Sequence, residues 1–424
     1  MTVTTAAGEQ RYILRARSGA VHGVAARYGL RVLAQAEAGD FVLALVADPA
    51  GRPSTRISDA VRAEADVASL EADQGVVIPE APPGLLLNQS TVAVLDGALT
   101  VPYFGRNVWK GYIDQPASSI IRIPQAHMLA TGGGVVAVID TGVDPQHPVL
   151  ATSLAPGYDF LDNQPGWASE LASLDQSTVA ILDATAESME GKSAAQVNQS
   201  TVAILDQSTV AVLDLEGRPP AFGHGTMVAG LIHLVAPTAR IMPLRAFQSD
   251  GSGRLFDVLR AIYYAVDHGA RVINMSFSVS APSRELQQAI IYANSRRVIC
   301  IAAAGNSGNQ VMVYPAGWHN VDGVGSTNNS DERSGFSNYG DDLVALAAPG
   351  EALITPYPGK NYAAASGTSF STALVSGAAA LLVEIDGRTN QAQAEAALSQ
   401  AVPVPQLGAG RIDLFQACMY ALRH

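Results

Sequence analysis

A chain of 424 residues with 48% apolar and 15% charged side chains can bury a large interior, which excludes disorder throughout and suits one large domain plus something smaller. Its net charge of −12 argues against nucleic acid or an anionic membrane surface as a main partner. Two cysteines, Cys300 and Cys418, provide no disulfide framework, and Cys300 reads as a buried thiol inside the apolar run 298–304. Residues 1–10 show no charged stretch followed by an apolar core, so no secretory signal is legible. No apolar run approaches the roughly 18 residues of a membrane span. Localisation is left open: cytoplasmic by default, or exported by another route.

Residues 1–80 read as a separate unit. The pattern predicts a strand over 12–17, a helix over 20–28 stopped by Gly29, and strands over 30–36 and 41–46. A helix over 58–70 capped by Ser58 and a last strand over 75–78 follow. The order βαββαβ is that of a small ferredoxin-like α+β domain. Residues 81–125, punctuated by Pro82, Pro83, Gly84, Gly97 and Pro102, read as a connector and as the expected place of processing.

From 126 to 424 strands and helices alternate. An apolar run over 135–139 suits a strand covered on both faces. A helix over 255–266 carries Leu255, Val258, Leu259 and Ile262 on one stripe, and a strand over 272–275, a helix over 283–294 and a strand over 298–304 follow. Such alternation predicts an α/β fold: a parallel sheet with helices on both faces, functional groups lying at the carboxyl ends of strands.

A nine-residue string, Asn/Asp-Gln-Ser-Thr-Val-Ala-Val/Ile-Leu-Asp, occurs at 88–96, 175–183, 198–206 and 206–214. The last two copies share Asp206. Three copies fall in an insert at about 162–220. Each core favours a strand and each polar start a turn. Three readings stand: a tolerated expansion of a surface loop, an extra sheet near the cleft, or sites of self-cleavage.

The chemistry is carried by three fragments. Asp140 ends the apolar run in Asp-Thr-Gly. His224 sits in Phe-Gly-His-Gly-Thr, 84 residues on. Ser369, in Gly-Thr-Ser-Phe-Ser-Thr, precedes an apolar helix whose N-terminus offers free N–H groups. An acid, a base and a nucleophile are what amide hydrolysis asks for. Asp144, four residues beyond Asp140, reads as a solvated turn carboxylate.

The order Asp…His…Ser in these contexts resembles that of the subtilisin-like serine peptidases. The resemblance covers most of 126–424 and implies roles for single residues. Ser369 would attack the peptide carbonyl, His224 would act as base, and Asp140 would orient it. Asn306, in Ala-Ala-Ala-Gly-Asn-Ser-Gly after Gly305, would help hold the oxyanion. Gly251, Ser252 and Gly253 are similar to the edge that pairs with extended substrate. Asn274-Met275-Ser276-Phe277 and Tyr314-Pro315-Ala316 are similar to the walls of the pocket for the residue before the scissile bond, and Ser278 and Gly305 are expected among the substrate-binding residues. The unit 1–80 resembles an inhibitory propeptide acting on its own chain. Self-processing from a zymogen is implied, with proteins or peptides as substrates. No cofactor is required for the chemistry; a structural calcium ion stays open, since the insert falls where relatives often carry calcium-binding loops, although no ligand cluster stands out.

The chain departs from the family pattern at Ala373 in place of proline, Met227 in place of a second histidine, and Ser278 in place of glycine. Two other readings remain open: a plugged peptide-binding or scaffolding protein, and a maturation peptidase dedicated to one partner.

Overall fold

The structure is a computed structural model; it describes residues 9–52, 54–78, 99–166, 169, 202–205, 219 and 221–424. The N-terminal unit runs β1 (Gln10–Arg17), α1 (Val21–Tyr28), β2 (Arg31–Ala38), β3 (Phe41–Asp48), α2 (Ser54–Arg62) and β4 (Val67–Ala72). Its antiparallel sheet has the order β2-β3-β1-β4. Alternation along β1 builds two layers: Tyr12, Leu14 and Ala16 pack with Val21, Val24 and Ile57 under the helices. Ile13, with Leu43 and Leu45 of β3, faces the rest of the protein.

The expected helix over 58–70 is corrected: α2 stops at Arg62, and 67–72 is the fourth strand. Pairing decides it, because β4 sets Leu70 opposite Leu14, both wholly buried, and that burial overrides local helix preference. The strand expected over 75–78 exists as β5 (Gly75–Val77), but it leaves this sheet and pairs elsewhere.

After Leu99 come a hairpin, β6 (Thr100–Tyr103) and β7 (Arg106–Trp109), and short helices α3 (Lys110–Ile113), α4 (Pro116–Ile120) and α5 (Ile123–Ala126). Sequence reading assigned these residues to the connector. They bury Trp109, Tyr112 and Ile121 in the main core. Tyr103 Oη donates to Leu234 O at 2.6 Å, and Tyr112 Oη to Gly230 O at 2.6 Å. This stretch is part of the large body.

The body continues with β8 (Val135–Asp140), β9 (Gly157–Asp159), β10 (Gln164–Gly166), β11 (Val202–Leu205), α6 (His224–Val235), β12 (Arg240–Arg245) and β13 (Ser252–Arg254). Then come α7 (Leu255–Asp267), β14 (Val272–Met275), α8 (Arg284–Ser295), β15 (Ile299–Ala303), β16 (Asp322–Thr327) and β17 (Leu346–Pro349). A hairpin of β18 (Leu353–Tyr357) and β19 (Asn361–Ala365) leads to α9 (Thr368–Ile385), α10 (Gln391–Leu398) and α11 (Leu414–Ala421).

The central sheet has the order β10-β9-β12-β8-β14-β15-β16-β17, parallel except at the β10 edge. Val136 and Val138 of β8 face the layer of α6 and α9. Ala137 and Ile139 face α7 and α8. Helices thus cover both faces, as the near-continuous apolar strands require. α9 is long and apolar enough to cross a membrane, yet 89% of its most apolar window is buried inside the protein, so here it is a core helix.

Of the repeats, one core is described. Val202–Leu205 is β11 and pairs antiparallel with β19. The other copies lie outside the described residues.

Candidate active site

Asp140 is the last residue of β8 and is fully buried. His224 opens α6, after Gly223 in the left-handed region at φ 87°. The imidazole Nδ1–H donates to the Asp140 carboxylate, 2.8 Å from Oδ1 and 3.0 Å from Oδ2. A carboxylate only accepts, so the proton sits on Nδ1 and Nε2 is left as the acceptor.

The flanking residues explain why these fragments read as motifs. Thr141 Oγ1 accepts from Gly225 N at 3.1 Å, and Thr226 Oγ1 accepts from Asp144 N at 2.8 Å, so each strand-end residue is tied to the helix start. A Cβ on Gly225 would lie 2.0 Å from Gly142 O and 3.2 Å from Asp140 Cβ. Only glycine lets the two backbones come this close.

Asp144 corrects its sequence reading. It is 1% exposed, not solvated, and accepts from Gln146 N at 2.9 Å and from Gly359 N at 3.0 Å. It pins the loop after β8 to the turn between β18 and β19.

Ser369 is the second residue of α9, whose N-cap is Gly367 at φ 149°. The His224 ring lies 5.3 Å, centroid to centroid, from the ring of Phe370, the residue that follows Ser369. The Ser369 hydroxyl donates to Ser276 O at 3.5 Å, and Ser276 Oγ donates back to Ser369 O at 3.1 Å. Ser276 is itself held by Asn274 Nδ2 at 2.9 Å, and Asn274 Oδ1 accepts from Ser376 Oγ at 2.9 Å. The serine is therefore braced from the end of β14 and from its own helix, with its hydroxyl turned to Ser276 and not to His224. Such bonds are commonly unmade or long in a site without substrate.

Asn306 follows β15. Its Oδ1 accepts from Thr368 N at 2.9 Å and Thr368 Oγ1 at 2.8 Å, and a Cβ on Gly367 would lie 3.3 Å from its Nδ2. The amide nitrogen is thus aimed at the backbone just before Ser369. Gly305 N donates to the same threonine hydroxyl at 3.1 Å. Thr368 was not singled out from sequence. Its signal was its place beside Ser369 in Gly-Thr-Ser, a position that must satisfy orphan groups at the helix start.

The remaining predicted residues form two edges of one groove. β13, which holds Ser252 and Gly253, pairs antiparallel with β5, and Gly251 O accepts from Ile78 N at 3.0 Å. On the other side Val77 bridges antiparallel to Ser278, whose N donates to Val77 O at 3.1 Å. The chain's own residues 75–78 thus lie as a strand between the two predicted edges. Val76 and Ile78 are buried against Ala221, Phe247 and Phe277, while Val77 is 54% exposed. Phe277 is wholly buried and 5.3 Å from the Phe247 ring, so it builds the floor beneath the groove.

The N-terminal unit also touches two helix starts. Asp73 Oδ1 accepts from Phe256 N of α7 at 3.1 Å, and Glu71 Oε2 accepts from Arg284 N of α8 at 3.1 Å. Anions suit helix N-termini. Burial nonetheless pushes both carboxyls above the ordinary range, with Glu285 adding to the effect at Glu71. Asp257, on the first turn of α7, is raised to about 6 by burial, against the pull of Arg260 and with a push from Asp73. Arg11 pairs with Asp73 at 2.9 Å, and Arg15 stands 3.8 Å from Glu285. Among the described residues no group of three or more His, Cys, Asp or Glu is set to hold a metal.

Known proteins resemble this arrangement in sequence and in fold. The subtilase family model matches residues 131–413. Thermitase of Thermoactinomyces vulgaris is 34% identical over 315 residues, which take in 71% of this chain and 94% of thermitase. Subtilisin BL of Lederbergia lenta is 39% identical over 169 residues, 38% of this chain and 62% of that protein. Among solved structures, a protease of Pseudoalteromonas arctica PAMC 21717 superposes with a TM-score of 0.55 at 25% identity, covering 71% of this chain and 94% of its own. A lanthipeptide protease gives a TM-score of 0.55 at 23% identity over 72% of this chain and 93% of its own, a likeness of fold alone.

Proposed function

Because this chain belongs to the subtilase family and is a subtilisin-like serine endopeptidase, we propose that it cuts peptide bonds through Asp140, His224 and Ser369 and is held off by its own N-terminal unit. The observation that carries the first half is the buried Asp140 carboxylate accepting from His224 Nδ1 at 2.8 Å beside the start of the Ser369 helix. With that bond in place Nε2 takes the Ser369 proton as Oγ attacks the carbonyl carbon. The imidazolium so formed is stabilised by Asp140 and then gives its proton to the leaving amine. Water repeats the cycle on the acyl-enzyme. The Ser369 N–H at the helix start and Asn306 Nδ2 are the donors for the developing oxyanion. Labelling with a fluorophosphonate tests this: one adduct on Ser369 with loss of casein hydrolysis is expected, and persistent hydrolysis by protein labelled elsewhere would overturn it.

Asn306→Ala is expected to lower kcat by about 10²–10³ with little change in KM, a magnitude carried over from a subtilisin. Asn306→Asp keeps the acceptor for Thr368 and loses the donor. Equal losses in both variants assign the effect to the donor. Near-normal kcat in Asn306→Asp would mean that Asn306 acts only by bracing the helix.

The second half rests on residues 75–78, which fill the groove between β13 and Ser278 in the extended form a substrate takes. Processing would fall between 79 and 98, since 99–126 is packed into the body.

The interface carboxyls add a pH dependence. Glu71 and Asp73 are raised in the docked state, so docking takes up protons and is strongest below their ordinary values near 4. The advantage is lost as pH rises through the docked values, which lie above the ordinary carboxylate range. Hydrogen-exchange protection at 76–78 in the uncut Ser369→Ala chain, corrected for intrinsic rates, should fall between pH 4.5 and 7.5. Glu71→Gln should flatten the slope. Equal protection across the range would remove the proton linkage.

A further inference from the structure

Val77, the outward residue of the strand in the groove, has a serine on each side. Ser278, one of the chain's departures from the family pattern, bridges to it antiparallel and donates its N–H to Val77 O at 3.1 Å. On the other flank Val77 pairs with Ser252 of β13. Residues directly opposite one another in a sheet share a face. Val76 and Ile78 are buried with Phe277, while Val77 is half exposed, so the row Ser252, Val77, Ser278 lies on the outer face.

The two hydroxyls differ in what they can offer. Ser252 Oγ donates to Asp250 Oδ1 at 2.6 Å, and Ser252 N donates to the same oxygen at 2.8 Å. A carboxylate only accepts, so the one proton of the Ser252 hydroxyl is committed and its lone pairs are left to accept. These two bonds also hold the Asp250 carboxyl below its usual range, which fixes that direction at neutral pH. The Ser278 hydroxyl has no partner among the described residues, so it can give a proton or take one. Valine answers neither group. The place of this row along a substrate follows from the register. Ser276, two residues before Ser278 on the same edge, carries the carbonyl to which Ser369 Oγ points. A peptide lying antiparallel in the register of Val77 therefore brings to Ser369 the residue two places after the one opposite Ser278. Counted back from the cut bond, the two serines flank the third residue.

We propose that Ser252 and Ser278 read the third residue before the cut and select a short side chain that gives a hydrogen bond, threonine ahead of valine of the same shape. This rests on the reading of residues 75–78 as standing where substrate lies. A threonine hydroxyl in the row donates towards Ser252, whose own proton is spent on Asp250, and it has a further donor in Ser278. Hydrogen bonds then run one way, from the outer flank across the substrate to the Asp250 carboxylate. Cross-strand Thr–Ser pairs shift an equilibrium by about twofold to fivefold. The substrate class is an extended peptide with threonine or serine at this place. The chain's own strand carries valine there and holds the groove through its main chain and its two buried side chains alone. That is a looser grip than a matched substrate has, and it suits a segment that must leave once the chain is cut.

Peptides that differ only at this place, with Thr or Val, test the proposal in the processed wild type and in a variant carrying Ser252→Ala and Ser278→Ala. The ratio of kcat/KM, Thr over Val, is taken within each enzyme. It should be about threefold in wild type and fall to about one in the double variant. A ratio near one in wild type, or a ratio that survives both substitutions, overturns the proposal. A second measurement needs no turnover. In the uncut Ser369→Ala chain, Val77→Thr should raise exchange protection at 76–78, corrected for intrinsic rates, by about threefold, and Ser252→Ala with Ser278→Ala should cancel the gain. A gain there without a ratio among the peptides overturns the proposal and puts the fault in taking 75–78 as a stand-in for substrate. If no peptide is cut and no Ser369 adduct forms, the triad reading has failed, and the exchange result decides the pairing alone: a gain upholds it and no gain overturns it.

Discussion

Ser369→Ala is expected to remove peptide hydrolysis almost completely, by about 10⁶ in kcat, a magnitude measured in a subtilisin and carried over through family membership. The His224–Asp140 pair can take a proton but cannot form the acyl bond, so no other group replaces the hydroxyl. The fold should be untouched. The side chain is 1% exposed, and among the described residues its Oγ makes one long hydrogen bond, 3.5 Å to Ser276 O. Intact-mass analysis over hours reads both consequences at once. Wild type should shed a fragment ending between residues 79 and 98 and digest casein, while the alanine variant keeps full length and leaves casein whole. An alanine variant that still processes itself and cuts casein would remove Ser369 from the chemistry.

Gly225→Ala is expected to cost at least about a hundredfold in kcat/KM, although it adds one methyl group and no charge. The new Cβ would meet Gly142 O at 2.0 Å and Asp140 Cβ at 3.2 Å, both on the segment that carries the acid. Backbone cannot swing aside as a flexible side chain can, so α6 must move off the end of β8. His224 is the first residue of that helix and moves with it. A displacement of about 1 Å in a reacting group is worth about 10² in rate, and overpacking of this kind costs about 1–3 kcal/mol in stability. Gly23→Ala is the control. Its Cβ would meet nothing within 4 Å in α1, so it should leave activity unchanged and stabilise slightly. Retention of full activity in Gly225→Ala would mean that the interlock of the two motifs does not set the position of His224.

Much of the site was legible because close backbone contact leaves little choice of residue. Where β8 ends against α6, only glycine at 225 fits, and Thr141 and Thr226 tie the loops across it. The Asp-Thr-Gly and Gly-His-Gly-Thr fragments are the sequence trace of that packing. The central strand β8 was legible for a similar reason: Val136–Ile139 is buried and belongs to an uninterrupted apolar run over 135–139. What could not be read depends on partners far along the chain. Glu71 and Asp73 look like ordinary surface carboxylates in the short stretch between the helix expected over 58–70 and the strand expected over 75–78. Their hydrogen-bond partners are 213 and 183 residues away. Asp144 looked solvated because Gly359, which it accepts from, is 215 residues on. The strand over 75–78 was expected, but nothing within the N-terminal unit says that its neighbours would be Gly253 and Ser278.

The strand Gly75–Val77 reaches the groove on the same chain that carries Ser369, and that makes its hold a question of concentration. While the chain is whole, a tethered segment meets its seat at an effective concentration of about 1 mM, whatever the dilution of the protein. If the detached unit bound with a Kd of about 1 μM, the intact chain would stay closed about 99.9% of the time. After one cut between 79 and 98 the same contacts become bimolecular. At about 10 nM protein roughly 1% of molecules would then remain closed, with no contact changed. Dilution of the cut protein would act as the switch, and dilution of the uncut chain would do nothing.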